Sequence, residues 1–235
     1  MNETTIGERI CGNPYVGRGL VAGKSQSGRF AVTAYFIMGR SENSRNRIFA
    51  LEGDDLFTRP YDEKKVKDPS LIIYRAVARC GNDLIVTNGD QTDTLCEGLF
   101  AGKSMAEILK SRTFEPDAPN FTPRISAVLH FAKKFSYEIS ILKAANAEGS
   151  ACDRFCFFYE PVNGTGHFIH TYRGDGDPLP SFSGEPETVL IPDDIDDFTR
   201  DLWENLNEDN KISLYVRYID LESGKTTDRL LNKNR

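Results

Sequence analysis

Three stretches of this chain crowd together side chains that could hold, or react with, a small anionic molecule. Residues 84–95 open with an apolar run, Leu84-Ile85-Val86, of the kind that makes a buried strand. The run breaks at Asn88-Gly89, a pair that tolerates positive φ and can turn the backbone sharply. Asp90, Gln91, Thr92, Asp93 and Thr94 then follow without interruption. Alone, this stretch reads more simply as a hairpin turn with solvated polar residues, and a functional reading needs other groups to converge on it.

Residues 39–47 supply such groups: Arg40, Arg45 and Arg47, with Asn43 and Asn46 between them. Guanidinium forks bind phosphate or carboxylate bidentately, and a loop lets several converge on one dianion. A solvated basic loop is the competing reading, and the two weigh about evenly. Residues 113–124 contain three prolines, which excludes a helix or a central strand. They read as a stiff connector presenting Glu115, Asp117 and Arg124, at a low entropic cost for holding a site in place.

Other patterns fail on physical grounds. Gly23-Lys24-Ser25 lacks the glycine five residues earlier that a phosphate loop needs, position 18 being Arg18. Cys152, Cys156, His167 and His170 have a finger-like order. However, four residues of strand separate the cysteines by about 13 Å, too far for one tetrahedral ion. Core cysteines and surface histidines are the expectation, with no metal. Neither Ser-His-Asp nor Cys-His spacing stands out. Cys11, with ten residues before it, is not expected to be a processed N-terminal nucleophile.

Composition narrows the class. With 235 residues, 39% hydrophobic and 27% charged, the chain can bury a sizeable core. A net charge of −6 argues against a nucleic-acid partner, since no basic surplus exists to neutralise a duplex. A small phosphorylated ligand needs only a few arginines. No targeting segment or membrane-length apolar run is visible. Five cysteines without framework spacing suggest reduced thiols and a cytoplasmic location.

The elements that must position these residues are mostly strands. Residues 15–23 and 29–37 read as a hairpin, and the strands at 30–38 and 48–51 hold the arginine loop at both ends. Residues 54–69 are polar and read as a surface crossing. Strands at 71–79 and 83–87 deliver Tyr74, Arg75 and the 88–94 loop. Ser104 caps a short helix at 104–112, with Glu107 three residues on. Strands follow at 136–145, 154–161, 166–173 and 211–219. Residues 193–207 form a long amphipathic helix with acids in its first turn. The expectation is α+β layers in one domain, 1–235, with residues 1–13 a peripheral extension.

Several motifs occur in a telling order: Pro14-Tyr15-Val16-Gly17-Arg18-Gly19, Gly39-Arg40-Ser41 with Arg45-Asn46-Arg47, Tyr74, Thr87-Asn88-Gly89 with Gln91-Thr92-Asp93-Thr94, and Thr122-Pro123-Arg124. Together they resemble the archaeal-type IMP cyclohydrolase family, specifically over residues 14–130. Beyond that, only Thr171-Tyr172 and residues 178–186 look similar. The resemblance implies a four-layer αββα sandwich similar to the N-terminal-nucleophile hydrolases, without autoprocessing. It implies closure of a formylated carboxamide ribonucleotide (FAICAR) to inosine monophosphate, with no cofactor or metal. Tyr74, Arg40, Asp93 and Glu115 would then be catalytic. Arg47, Asn46, Asn88, Gly89, Thr92 and Arg124 would bind substrate. The arginines would serve phosphate and carbonyl groups, Tyr74 the formyl oxygen, and the acids the ribose or proton transfer. The partner is a small purine ribonucleotide, with neither nucleic acid nor membrane, and a homo-oligomer stays open. Two other readings remain: a purine-nucleotide-binding protein without catalysis, and an amidohydrolase of similar fold using an internal cysteine or serine.

Overall fold

In the computed structural model, which describes residues 4–66 and 73–234, backbone pairing sorts the strands into two antiparallel sheets. One comprises β1 (Arg18–Lys24), β2 (Phe30–Met38), β10 (Thr165–His170), β11 (Glu187–Leu190), β12 (Lys211–Asp220) and β13 (Thr226–Asn232), in the order β11-β10-β1-β2-β12-β13. The other runs in sequence order: β3 (Arg47–Glu52), β4 (Asp55–Pro60), β5 (Tyr74–Cys80), β6 (Asp83–Thr87), β7 (Arg124–His130), β8 (Ser136–Ala144) and β9 (Cys152–Tyr159). Helices α1 (Ile6–Ile10), α2 (Glu42–Arg45), α3 (Gln91–Phe100), α4 (Met105–Ile108) and α5 (Ile195–Asn205) are short. The protein is α+β.

Strand alternation explains where the cores lie. Along β7, Ile125, Ala127 and Leu129 join a core between the two sheets, opposite Leu20, Tyr35 and Tyr215, while Val128 faces the other way. A second core sits outside the first sheet, where Ile6, Ile10, Phe198 and Leu202 of α1 and α5 cover Val21, Phe36 and Val216. A third lies outside the second sheet, where Leu95, Met105 and Ile108 of α3 and α4 cover Ala78, Ile85 and Val128. Both faces of β2 and β12 therefore carry apolar side chains; β2 runs as a nearly unbroken apolar stretch, while β12 is buried throughout despite Lys211, Ser213, Arg217 and Asp220. Removing a ring as fully buried as that of Phe36 would cost about 3–5 kcal/mol.

The long helix is shorter than expected, because Asp194 caps it by accepting from the backbone of Asp196 and Asp197. Asp193 instead accepts from Ser27. The Ser104–Glu107 capping box forms, but its helix ends at Ile108 and continues as a 3-10 turn, Leu109–Ser111.

Five expectations need correction. Residues 4–13 are not peripheral, since Thr5 and Glu8 close a capping box and Ile6 and Ile10 enter the core beneath α5. The polar stretch 54–69 is not all surface crossing: Leu56 and Thr58 are buried in β4, paired to β3 and β5. Asn88-Gly89 does not turn a hairpin. Neither residue takes positive φ, and the strand passes into α3, whose first turn absorbs Gln91 and Thr92. The thiols are not all reduced, because packing α3 on β5 brings the Cα atoms of Cys80 and Cys96 within 5.7 Å, joined as a disulfide. Finally, Cys152 and Cys156 are only half-buried while His170 is buried, and the two pairs lie on different sheets. The expected start of the Tyr74 strand, Leu71 and Ile72, and Lys67 of the polar stretch lie outside the described residues.

This architecture brings several strand ends together. Arg18, Arg47, Tyr74 and Arg124 begin β1, β3, β5 and β7, and Met38 ends β2. Gly17 holds the entry to β1 at φ +77°, and a Cβ there would fall 2.2 Å from Thr171 Oγ1. Only glycine lets Arg18 start its strand so close to β10.

Candidate functional site

At that end of the two sheets a cleft of about 250 Å³ opens, of small-molecule scale. Arg18, Arg40 and Arg47 line it with Glu115, Tyr15 and Tyr172. Arg18 Nη2 lies 3.4 Å from Glu115 Oε2 in a buried ion pair. Arg47 is 2% exposed and donates through Nε to Ser44 O at 2.7 Å and through Nη2 to Met38 O at 3.0 Å. Arg40 sits nearer the rim, its guanidinium 5.1 Å from the Tyr15 ring centroid and paired with Asp175.

Charges in the cleft are imbalanced. Burial pushes the Glu115 carboxyl above the ordinary carboxylate range, although Arg18, Arg124 and Arg47 pull the other way. Burial, with the like charge of Arg18, lowers Arg47. For Arg18, burial works against the charge, but Glu115 and the phenol oxygens of Tyr74, Tyr172 and Tyr15 outweigh it and hold the group firmly protonated. Arg18 Nε is buried and finds no hydrogen-bond partner among the described residues. A dry, unpaired guanidinium N–H is costly to keep.

The opposite wall is built by the proline-rich connector. Asp117 accepts from the Thr122 backbone at 2.7 Å and from its hydroxyl, and that hydroxyl meets Tyr172 Oη. Glu115 N donates to Thr122 O at 2.9 Å, which fixes the carboxylate's approach. The sequence reading gave Glu115 a site role here; it named Asp117 and Thr122 without one and passed over Asn120, and all three also line the cleft.

The other expected residues divide into those near the cleft and those that hold it. Tyr74 is 6% exposed beneath Arg18 and Arg47, with its hydroxyl 2.8 Å from that of Tyr35. Arg124 donates to Gln91 Oε1 at 2.8 Å and pairs with Asp90 at 2.6 Å, which is shared with Arg112. Gly89 leaves room for this, since a Cβ there would lie 2.4 Å from Arg124 Nη1. Asn88 Oδ1 accepts from Ile125 N at 2.8 Å and its Nδ2 donates to Pro123 O at 2.9 Å, locking the start of β7. The Thr92 hydroxyl meets Thr87 Oγ1 at 2.6 Å inside the first turn of α3. Asn46 clasps the backbone of Asp62 through both ends of its amide. Asp93 is not in the cleft: it points to solvent and pairs with Arg75 at 2.6 Å.

Among the cleft residues missed as site residues are Tyr15, Arg18 and Tyr172, although the Tyr15–Gly19 and Thr171-Tyr172 motifs held them. For Arg18 and Tyr172 the signal was a charged or phenolic residue flanked by glycine or threonine at a strand end. What they face could not be read, because β1 and β10 become neighbours only through long-range strand pairing, from Gly19–His170 to Gly23–Gly166.

Arginines around a buried carboxyl, at the open end of two stacked sheets, form a cleft whose chemistry suits a small anionic molecule. Comparison with known proteins narrows this. Residues 15–225 match the model of the family described as IMP cyclohydrolase-like protein, and the chain belongs to that family. It is 36% identical over 118 residues to a Methanopyrus kandleri protein named IMP cyclohydrolase, covering 48% of this chain and 58% of that one. A protein of the same name from Methanococcus aeolicus is 32% identical over 120 residues, again with 58% of its length covered. A third, from Methanococcus maripaludis strain C7, is 31% identical over 173 residues, covering 68% of this chain and 82% of the relative. The aligned stretch thus spans little more than half of the first two relatives.

Proposed function

We propose that this protein is an IMP cyclohydrolase, closing 5-formamidoimidazole-4-carboxamide ribonucleotide to inosine monophosphate with loss of water, the last step of purine biosynthesis. The observation that carries the reading is the Glu115 carboxyl, buried between arginines in a cleft of the right scale. Family membership and the names of the relatives support it.

In this reading the carboxamide nitrogen attacks the formyl carbon, forming the new C–N bond and moving charge onto the formyl oxygen. One proton leaves the attacking nitrogen and the oxygen becomes a hydroxyl. The C–O bond then breaks, the formamido nitrogen gives up its proton, and water departs. Amide nitrogen is a poor nucleophile, so holding the two groups in contact supplies much of the rate. Tyr74 donates to the formyl oxygen as charge builds there. Glu115, whose hold on a proton is strengthened by burial, is the group assigned to help the hydroxyl leave. Arg18, Arg40 and Arg47 take the phosphate and carbonyl oxygens, and an anion between Arg18 and Arg47 relieves their mutual repulsion. Asn88, Gly89, Thr92 and Arg124 shape the wall behind Glu115. Asp93 and Asn46 act at a distance, through Arg75 and Asp62.

The reaction is a condensation and needs neither redox nor metal chemistry. We take residues 1–235 to be a single cyclohydrolase-like domain, and the three packed cores to be an αββα sandwich of the N-terminal-nucleophile hydrolase kind. The free cysteines Cys11, Cys152 and Cys156 do not line the cleft, which weighs against an internal-cysteine amidohydrolase.

The direct test is incubation of the purified protein with the formylated ribonucleotide, following inosinate by absorbance. Turnover with chelator present is expected. Tight inosinate binding without turnover would select a binding protein instead. Affinity should fall as salt rises, because arginines hold the phosphate.

A further inference from the structure

We propose that Tyr35 is a positioning residue that sets the proton of Tyr74, so that Tyr74 meets the substrate as a donor. This rests on the cyclohydrolase reading and deepens it. Tyr35 lies in the middle of β2, fully buried between the sheets, its ring stacked on Phe49 with centroids 5.4 Å apart. Its hydroxyl is 2.8 Å from Tyr74 Oη, a contact across the two sheets from β2 to the start of β5. Both phenol oxygens act on Arg47, but Tyr74, 6% exposed where Tyr35 is fully buried, is the member of the pair nearer the surface.

Two phenols share one hydrogen bond, so only one of them can donate within the pair. A buried hydroxyl that fails to donate loses a bond it would have made in water, and Tyr35 has no solvent in reach. Tyr74 Oη is the partner Tyr35 has among the described residues. Tyr35 therefore donates and Tyr74 accepts. The proton of Tyr74 is then left to point away from Tyr35, toward an acceptor in the cleft. In the reverse arrangement Tyr74 would spend its proton on Tyr35 and would offer the formyl oxygen only a lone pair. The donated bond also polarises Tyr74, making it a better donor in the same direction.

The test is Tyr35→Phe, which keeps the ring against Phe49 and removes only the oxygen. Its kcat should fall about tenfold, the lower end of what outer-shell hydrogen-bond partners contribute at metal sites, with KM unchanged. In a Tyr74→Phe background the same substitution should change kcat less than twofold, because there is no proton left to set. Tyr215→Phe, deleting another buried phenol directly across from Tyr35 on β12, should leave kcat as in the parent. Parental kcat in Tyr35→Phe, or equal losses with and without the Tyr74 hydroxyl, would overturn the proposal. If Tyr35→Phe does not fold, the parent decides by NMR: the Tyr35 hydroxyl proton, assigned through its contact with Phe49, should exchange slowly and shift on adding inosinate. A proton that exchanges fast or does not shift would overturn it. A parent without turnover in the same assay defeats the cyclohydrolase reading itself, and with it this proposal.

Discussion

Two regions of the molecule bury charge, one on the second sheet and one where both sheets end, and they do so in opposite ways. At the outer face, His130 is held between two carboxylates, Nδ1 at 2.8 Å from Asp83 and Nε2 at 2.9 Å from Glu138. Both carboxylates hydrogen-bond the imidazolium and push its pKa up to about 9, so its charge is matched twice over. In the cleft, Arg18 and Arg47 approach each other, Glu115 tends toward its neutral form, and one guanidinium nitrogen has no partner. The first arrangement ties β6, β7 and β8 together, although Glu138 Oε2 stays buried without a partner among the described residues. In the reading proposed above, a bound anion offsets the second. Charge matched by its neighbours ties strands together, whereas like charges gathered in a cleft are the pattern expected of a site.

Substitutions can break this contrast. The largest effect is expected at Glu115. Glu115→Gln keeps the shape but cannot give up a proton, and kcat should fall by about 10²–10⁴. Because the acid form is the working one, turnover of the parent should decline as pH rises past the raised pKa of Glu115, and the variant should lose that limb. An unchanged pH profile in Glu115→Gln would move the acid elsewhere.

Next comes Tyr74. Tyr74→Phe should lower kcat about a hundredfold with little change in KM, as when one oxyanion donor is lost. If it turns over like the parent, Tyr74 is a packing residue and the donor must be sought among the cleft groups. Arg47→Ala should behave differently in kind, raising KM and the Kd of inosinate about tenfold or more with a smaller change in kcat. Calorimetry of inosinate binding checks this. Arg47→Ala also empties a buried position, so its melting temperature must be measured beside it.

The smallest effect is expected at His130 and should leave catalysis untouched. Its pKa rises from 6.5 in the unfolded chain to about 9 when folded. The stability it contributes is therefore fully present below pH 6.5 and is lost as pH climbs through about 9. With partial solvent screening, that is on the order of 1–2 kcal/mol. Urea unfolding of the parent should show this decline between pH 6.5 and 9, and His130→Gln should flatten it. A decline that persists in His130→Gln would assign it to another group.

Much of the fold was legible because local physics decided it. Alternating and unbroken apolar runs placed β2, β3, β6, β8, β9 and β12 within a residue or two, while β4, β7, β11 and β13 went unread, and Ser104 announced its helix through the side chain that caps it. The prolines of the connector excluded regular structure, and residues 113–123 indeed form neither helix nor strand. Glycine at position 17 was visible as a motif, but its reason, the close approach of Thr171, was not.

What the sequence determined, then, was inventory: strands, caps, a stiff connector, and the arginines and carboxylate available for chemistry. What only the tertiary structure decided was who meets whom. Strand pairing carries no long-range label in composition, so nothing in the chain indicated that Arg18 would stand against Glu115, or Tyr35 against Tyr74 from the other sheet. It equally could not show that Asp93, one residue beyond the buried Thr92, would turn outward to Arg75. In a helix neighbouring residues point about 100° apart. That rotation set Thr92 into the fold and left Asp93 in solvent, once the polar residues after Gly89 had become the first turn of α3.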